Sequence, residues 1–117
     1  MNQTELLKGT LSTMILKLLE QKGKMYGYEI TQMIRSMSDD KILVKEGSLY
    51  PALHKLEADG LVTTEEVYIG KRVRKYYALT APGKSATKES VDELLEFLNT
   101  IHTIITSKPL ATYGAAY

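Results

Sequence analysis

A chain of 117 residues builds one domain around a single core, short of the burial a large enzyme achieves. Fifteen Lys and Arg stand against fourteen Asp and Glu, a formal net charge of +1, which excludes a protein that coats nucleic acid through bulk positive charge; any such contact must come from a local patch. Cysteine is absent and the two histidines, His54 and His102, are far apart, so no disulfide, structural zinc, other metal or cofactor is expected. No charged-then-apolar leader opens the chain, and no apolar run approaches the roughly 20 residues that span a bilayer, so a cytoplasmic protein without membrane contact is expected.

From Glu5 to Glu20, Leu7, Leu11, Met14, Ile15, Leu18 and Leu19 recur at three- and four-residue steps, which predicts a first helix ending before Gly23. Ile30, Met33, Ile34 and Met37 repeat the pattern in a second helix, Tyr26 to Met37, broken by Ser38-Asp39-Asp40. The third helix is expected to begin near Ser48, with the Ser48 hydroxyl as cap and Pro51 in the first turn, and to stop at Gly60. Leu49, Ala52, Leu53 and Leu56 would face its core. Leu61 to Ile69 and Val73 to Leu79 are rich in β-branched and aromatic residues and flank Gly70-Lys71-Arg72, the pattern of an antiparallel hairpin. Thr80 caps a last helix with Pro82 in its first turn. On that helix Val91, Leu94, Leu98, Ile101 and Ile105 alternate three- and four-residue steps, a coiled-coil seam that seeks a partner helix, and Leu95, Phe97 and Ile104 widen it. A homodimer through this helix is expected, with a short mobile tail after it.

A helix followed directly by a positively charged hairpin suits DNA: the helix enters the major groove while the hairpin holds adjacent phosphates. Tyr50 and His54 lie four residues apart, away from the Leu49/Leu53/Leu56 stripe, with Lys55 beside them; they can reach bases and phosphates or be ordinary solvated positions. Lys71, Arg72, Arg74 and Lys75 place four positive charges within five residues, and Arg72 is the best placed for a minor groove. The competing reading is a basic surface loop partly neutralised by Glu65 and Glu66. Tyr26 and Tyr28 flank Gly27 where the second helix opens, and one of the two is expected to touch DNA while the other packs. His102 lies beside the apolar seam, where a partly buried interface position is expected. The five Met fill apolar faces, and no nucleophile motif, metal motif or phosphate loop is present, so an enzyme is not expected.

These residues resemble the PadR family of bacterial winged-helix transcriptional regulators, in its small members with one C-terminal helix. The likeness is carried by Leu6-Leu7-Lys8-Gly9-Thr10-Leu11, by Tyr26-Gly27-Tyr28-Glu29-Ile30, by Gly47-Ser48-Leu49-Tyr50-Pro51-Ala52-Leu53 with Leu56-Glu57-Ala58-Asp59-Gly60-Leu61, and by Arg74-Lys75-Tyr76-Tyr77-Ala78-Leu79-Thr80 with Gly83. In the right order, these segments are spread over residues 6–83, about two-thirds of the chain. The resemblance implies a mainly α fold with a small β-hairpin: a winged helix-turn-helix DNA-binding domain over residues 1–80, a C-terminal dimerisation helix over 81–108 and a tail over 109–117. It implies a homodimer whose third helices enter successive major grooves of a palindromic double-stranded operator, acting as a repressor that occludes a promoter. Tyr26, Tyr28, Ser48, Tyr50 and the tip from Lys71 to Lys75 are DNA-facing by that likeness, and His54 and Lys55 join them from the helical-face argument. Some family members release DNA when a small aromatic effector binds between the C-terminal helices. This chain has no Trp for such a ligand, and Phe97 is the only large aromatic of its last helix. The alternative is a winged-helix module that binds a protein or ligand and has lost operator binding.

Overall fold

The structure, a computed structural model, describes residues 3–109, so the expected tail lies outside the described residues except for Pro109. The first apolar run forms two helices instead of one, α1 (Gln3–Leu7) and α2 (Leu11–Lys22). The break is at Gly9, whose φ of +81° no helix accommodates, and Thr10 closes the turn by donating to the Leu7 carbonyl from its amide and its hydroxyl, each at 3.0 Å. Leu7, Leu11, Ile15, Leu18 and Leu19 still bury together, because the turn delivers both segments to the same core.

A short strand, β1 (Lys24–Tyr26), fills the interval between the first two expected helices and takes Tyr26, expected as the first residue of the second. Helix α3 (Gly27–Met37) therefore starts after Tyr26, and the Glu29 carboxylate accepts from the Tyr26 amide at 3.2 Å, satisfying a donor the helix leaves open. Ile30 and Ile34 point into the core.

Helix α4 (Glu46–Ala58) begins two residues before Ser48, and that corrects both the expected cap and the expected place of Pro51. Lys45 precedes it in extended conformation without a side-chain cap, and its carbonyl accepts from the amides of Ser48 (3.0 Å) and Leu49 (2.9 Å). Ser48 is thus already helical, and Pro51 lies in the second turn, where it leaves the Gly47 carbonyl without its ordinary helical donor. The far end follows expectation: Gly60, at φ +75°, donates to Glu57 O (3.0 Å) while Leu61 donates to Leu56 O (2.9 Å), the paired bonds of a Schellman ending.

Strands β2 (Val62–Ile69) and β3 (Arg72–Leu79) pair antiparallel, with Val62 opposite Leu79 and Ile69 opposite Arg72. Arg72, expected in the turn, belongs to the strand. The loop is only Gly70-Lys71, and Gly70 at φ +63° fills the first position of a two-residue hairpin turn as such turns require. β1 adds to the other edge of β3, Met25 opposite Tyr77, giving the order β1-β3-β2. Met25 and Tyr77 share the inward face and are buried against Leu49, Leu53 and Leu56 of α4.

Helix α5 (Ala81–Ile105) starts at a tight joint. The Thr80 hydroxyl donates to the Gly60 carbonyl at 2.7 Å and accepts from the Gly83 amide at 3.0 Å, while the Thr80 amide donates to Leu61 O at 3.1 Å. Gly83 is obligatory, since a Cβ there would lie 1.9 Å from the Leu61 carbonyl oxygen. One turn on, buried Thr87 donates to the Gly83 carbonyl at 2.7 Å. The helix packs on α2 and β3, and Leu95, Phe97, Leu98, Ile104 and Ile105 face solvent while Ile101 is half-buried.

Candidate nucleic-acid interface

Tyr50, His54 and Lys55 are exposed on α4, opposite buried Leu49, Leu53 and Leu56, as their spacing requires. Lys55 is held by its own helix, 3.0 Å from Asp59. Ser48 takes a different position. At about 100° per residue it falls on the opposite flank of α4 from Tyr50, half-buried beside Thr4 and Leu7 of α1, so the structure does not bring the two together.

The structure gathers Tyr26, Tyr28, Tyr50, Arg74 and Lys75. They line a depression of about 290 Å³ with Gly27, Val73 and Tyr77, where the start of α3, the flank of α4 and strand β3 meet. Gly27 makes the gathering possible, because a Cβ on it would lie 2.7 Å from the Tyr50 hydroxyl. Tyr26 and Tyr28 stack with ring centroids 6.5 Å apart; Tyr26 is half-buried, whereas Tyr28 keeps 64 % of its surface exposed.

On the outward face of the sheet the register sets Tyr26 opposite Tyr76, ring edge to ring face at 5.4 Å. The Arg74 guanidinium lies 4.1 Å from the centre of the Tyr26 ring. A long hydrogen bond to the Tyr76 hydroxyl, with smaller contributions from Tyr26 and Glu29, raises the Arg74 pKa above its ordinary value, so this residue is a fixed cation. Lys24 sits 5.4 Å over the Tyr76 ring and pairs with Glu65 at 3.4 Å. Glu65 therefore neutralises β1 and not the hairpin tip. Lys24, the steric need for Gly27 beneath Tyr50 and the positioning role of Tyr76 were missed in the sequence. A three-residue strand has no periodicity of its own, and only its pairing with β3 reveals that Tyr26, Tyr76 and Arg74 share one face.

At the tip Lys71, Arg72 and Lys75 are exposed, and among the described residues none of the four tip cations forms an ion pair. On α5, Val91, Leu94 and Ile101 of the seam are half-buried, whereas Leu98 and Ile105 are exposed together with Phe97. His102, expected to be partly buried, is exposed in the single chain. Phe97 borders a shallow cleft of about 220 Å³ with Thr13, Ser90, Glu93 and Leu94. Among the described residues no group of His, Cys, Asp or Glu could hold a metal ion, and no helix is long and apolar enough to cross a membrane.

Three helices with a hairpin wing, a solvent-facing helix α4 and an unpaired cationic tip define a winged helix-turn-helix protein of the transcription-regulator class. Sequence and structure comparisons agree on which one. Residues 15–89 match the transcriptional regulator PadR-like family. An uncharacterized protein of Lysinibacillus sphaericus is 34 % identical over 100 residues, covering 82 % of this chain and 88 % of its own. A transcriptional regulator from Clostridium thermocellum superposes with a TM-score of 0.80 at 30 % identity, covering 87 % of this chain and 99 % of that one. A PadR family transcriptional regulator from Eggerthella lenta gives 0.72 at 28 % identity, covering 89 % and 88 %. The chain belongs to the PadR-like family and is a DNA-binding transcription regulator, not an enzyme.

Proposed function

We propose that the protein is a homodimeric repressor that binds a palindromic operator and occludes a promoter. The observation that supports this most directly is the convergence of Tyr28, Tyr50, Arg74 and Lys75 on one depression beside the exposed face of α4. In this reading α4 enters the major groove with Tyr50, His54 and Lys55 along it, and Ser48 borders the groove only from the α1 flank of the helix. Tyr26 and Tyr28 border the backbone at the start of α3, and Lys71, Arg72, Arg74 and Lys75 take the wing to the flanking phosphates and minor groove. Arg74 and Tyr26 act as one unit, the ring orienting the cation toward the backbone.

The exposed apolar residues of α5, Leu98 and Ile105 with half-buried Leu94 and Ile101, are the surface through which two copies would pair and give the two-fold symmetry a palindrome mirrors. A small aromatic effector would bind beside Phe97 and shift the spacing of the two α4 helices. The protein would act in the cytoplasm, with residues 1–80 reading DNA and 81–108 pairing.

Selection of sheared genomic DNA from the source organism at about 150 mM salt with nonspecific competitor, followed by sequencing, tests the reading. Enrichment of a few promoter fragments sharing an inverted repeat supports it. No enrichment from folded, dimeric protein overturns it in favour of a partner-binding module.

A further inference from the structure

The end of the hairpin is apolar as well as basic. Tyr68 and Val73 face each other directly across the two strands, one pair back from the turn residues' closing pair of Ile69 and Arg72. Tyr68 is 73 % exposed, Val73 51 % and Ile69 44 %, on either side of Lys71 and Arg72 in the chain. The alternation of the strands puts Tyr68 and Val73 on the face of the sheet that carries buried Tyr77 and, through Thr64, touches Glu57 of α4 at 3.3 Å. They therefore project toward the recognition-helix side of the wing, beyond the point where the core ends. A loop that served only solubility would not need an aromatic and two branched aliphatic side chains in water at its tip.

The charge around the pair says what covers it. Lys71 in the turn and Arg72 in the closing pair flank the apolar residues, Lys75 shares their face opposite Glu66, Arg74 lies on the other face, and none of the four forms an ion pair among the described residues, so the end of the hairpin keeps a net positive charge that matches a polyanion and not an apolar protein surface. The undistorted minor groove of B-DNA is about 6 Å wide, and a two-stranded ribbon bearing Tyr on one strand and Val on the other is wider than that. Phosphate contact by the cations then forces the choice between a tip held outside and a groove pushed open.

We infer that Tyr68 and Val73 form an apolar wedge, pressed by the flanking cations against the sugars and base edges of the minor groove, which widens it and bends the DNA away from the wing. The inference rests on the proposed operator binding and adds to it a mechanical role for the tip. Apolar side chains inserted from the minor groove bend duplexes toward the major groove, by about 20–90°. Specificity then includes a preference for flexible pyrimidine–purine steps at the flanks, which no hydrogen bond reads.

The test uses the full-length protein and an inverted-repeat fragment recovered by the genomic selection, with its bend read from circularly permuted duplexes and from end-to-end energy transfer. Wild type is expected to bend the fragment. Tyr68→Ala with Val73→Ala is expected to remove most of the bend and lower affinity on the order of tenfold, leaving the salt dependence unchanged, since no phosphate contact is lost. Tyr68→Phe is expected to keep the bend. Both sites are exposed, so the fold should survive, and thermal melting checks that it does. An unbent wild-type complex, or a double variant that bends DNA as wild type does, overturns the wedge while leaving operator binding intact. A double variant whose mass falls by half in light scattering overturns it too, since the patch is then a contact between copies. Failure to recover any fragment counts against the proposed function and is seen before the bend is measured.

Discussion

Gly27 and Gly83 are both buried glycines, yet the atoms they meet give their substitutions opposite meanings. At Gly83 the obstacle is the Leu61 backbone, 1.9 Å from an added Cβ, and backbone at a three-way joint cannot move aside. Gly83→Ala is expected to cost about 2–4 kcal/mol, read from the denaturation midpoint. At Gly27 the nearest atom is the tip of the partly exposed Tyr50 side chain, which can swing out. Gly27→Ala should cost less than Gly83→Ala, about 1 kcal/mol, while lowering operator affinity, because it displaces the proposed Tyr50 contact and asks only a small shift of the Leu49 side chain, 3.3 Å from the added Cβ. Tyr77 supplies a pH signature at the same scale. Burial raises its pKa above the ordinary 10.0, with smaller contributions from Tyr50 and Glu57. The unfolded phenol ionises first, so the stabilisation is full below about pH 10 and is lost as pH climbs toward the folded value. The hydrogen bond from Lys88 to Asp92 raises the Lys88 pKa and acts in the same direction. Denaturation of Tyr77→Phe at pH 8 and 10.5 should therefore show a smaller alkaline loss than wild type, and an equal loss would assign it elsewhere.

Among the elements, α4 carries a liability in Pro51. Its ring sits in the second turn with no N–H for the Gly47 carbonyl, and it is exposed, so nothing in the core requires it. Pro51→Ala is expected to raise stability by about 1–3 kcal/mol in urea denaturation. A proline kept at such cost on the outer face of the helix is consistent with a surface shaped for a ligand. The neighbouring loop bears strain as well: Asp39 and Asp40 take φ of 51° and 63°, and among the described residues Asp40 pairs with Arg35 at 3.0 Å. The sequence made α3, the hairpin and the start of α5 legible, because periodicity, a Gly turn and a Thr cap with nearby Pro each act within a few residues. It misread what depends on distant parts. Gly9 broke an otherwise regular apolar stripe whose residues still reach one core, Met14 half-buried and the rest buried. β1 exists only because β3 offers its edge. The start of α4 moved to Glu46, away from the better capping residue Ser48, where buried Val44 anchors the preceding chain. For the site, the cations and phenols were visible as residue types, whereas the seat of Tyr50 on Gly27 and the ring beneath Arg74 needed the tertiary contacts.

At the scale of the whole molecule, the proposed pairing and DNA contact can be separated. Leu98→Asp with Ile101→Asp is expected to give a monomer by light scattering at micromolar concentration and to weaken operator binding by about 10²-fold or more, since two linked reading heads exceed one by that margin. If a dimer holds about 6–10 phosphates, affinity should fall about 10³–10⁵-fold between 50 and 200 mM salt, and Arg72→Ala with Arg74→Ala should flatten the slope. An unchanged slope would remove the wing from the phosphates.

The joint at Thr80 has a mechanical reading. One hydroxyl binds Gly60, at the end of α4, to Gly83, at the start of α5, so the helix that would read DNA and the helix that would pair subunits are tied at the same point. From there α5 runs 25 residues, an arm about 37 Å long at 1.5 Å per residue. Rotating such an arm by about 5° moves its far end about 3 Å, close to the separation of adjacent base pairs. If α4 reads DNA and α5 pairs subunits as proposed, a contact that tilts α5, whether from a ligand or a neighbouring subunit, would turn α4 with it through this joint, and one threonine would set the opening of a caliper made by the two reading heads.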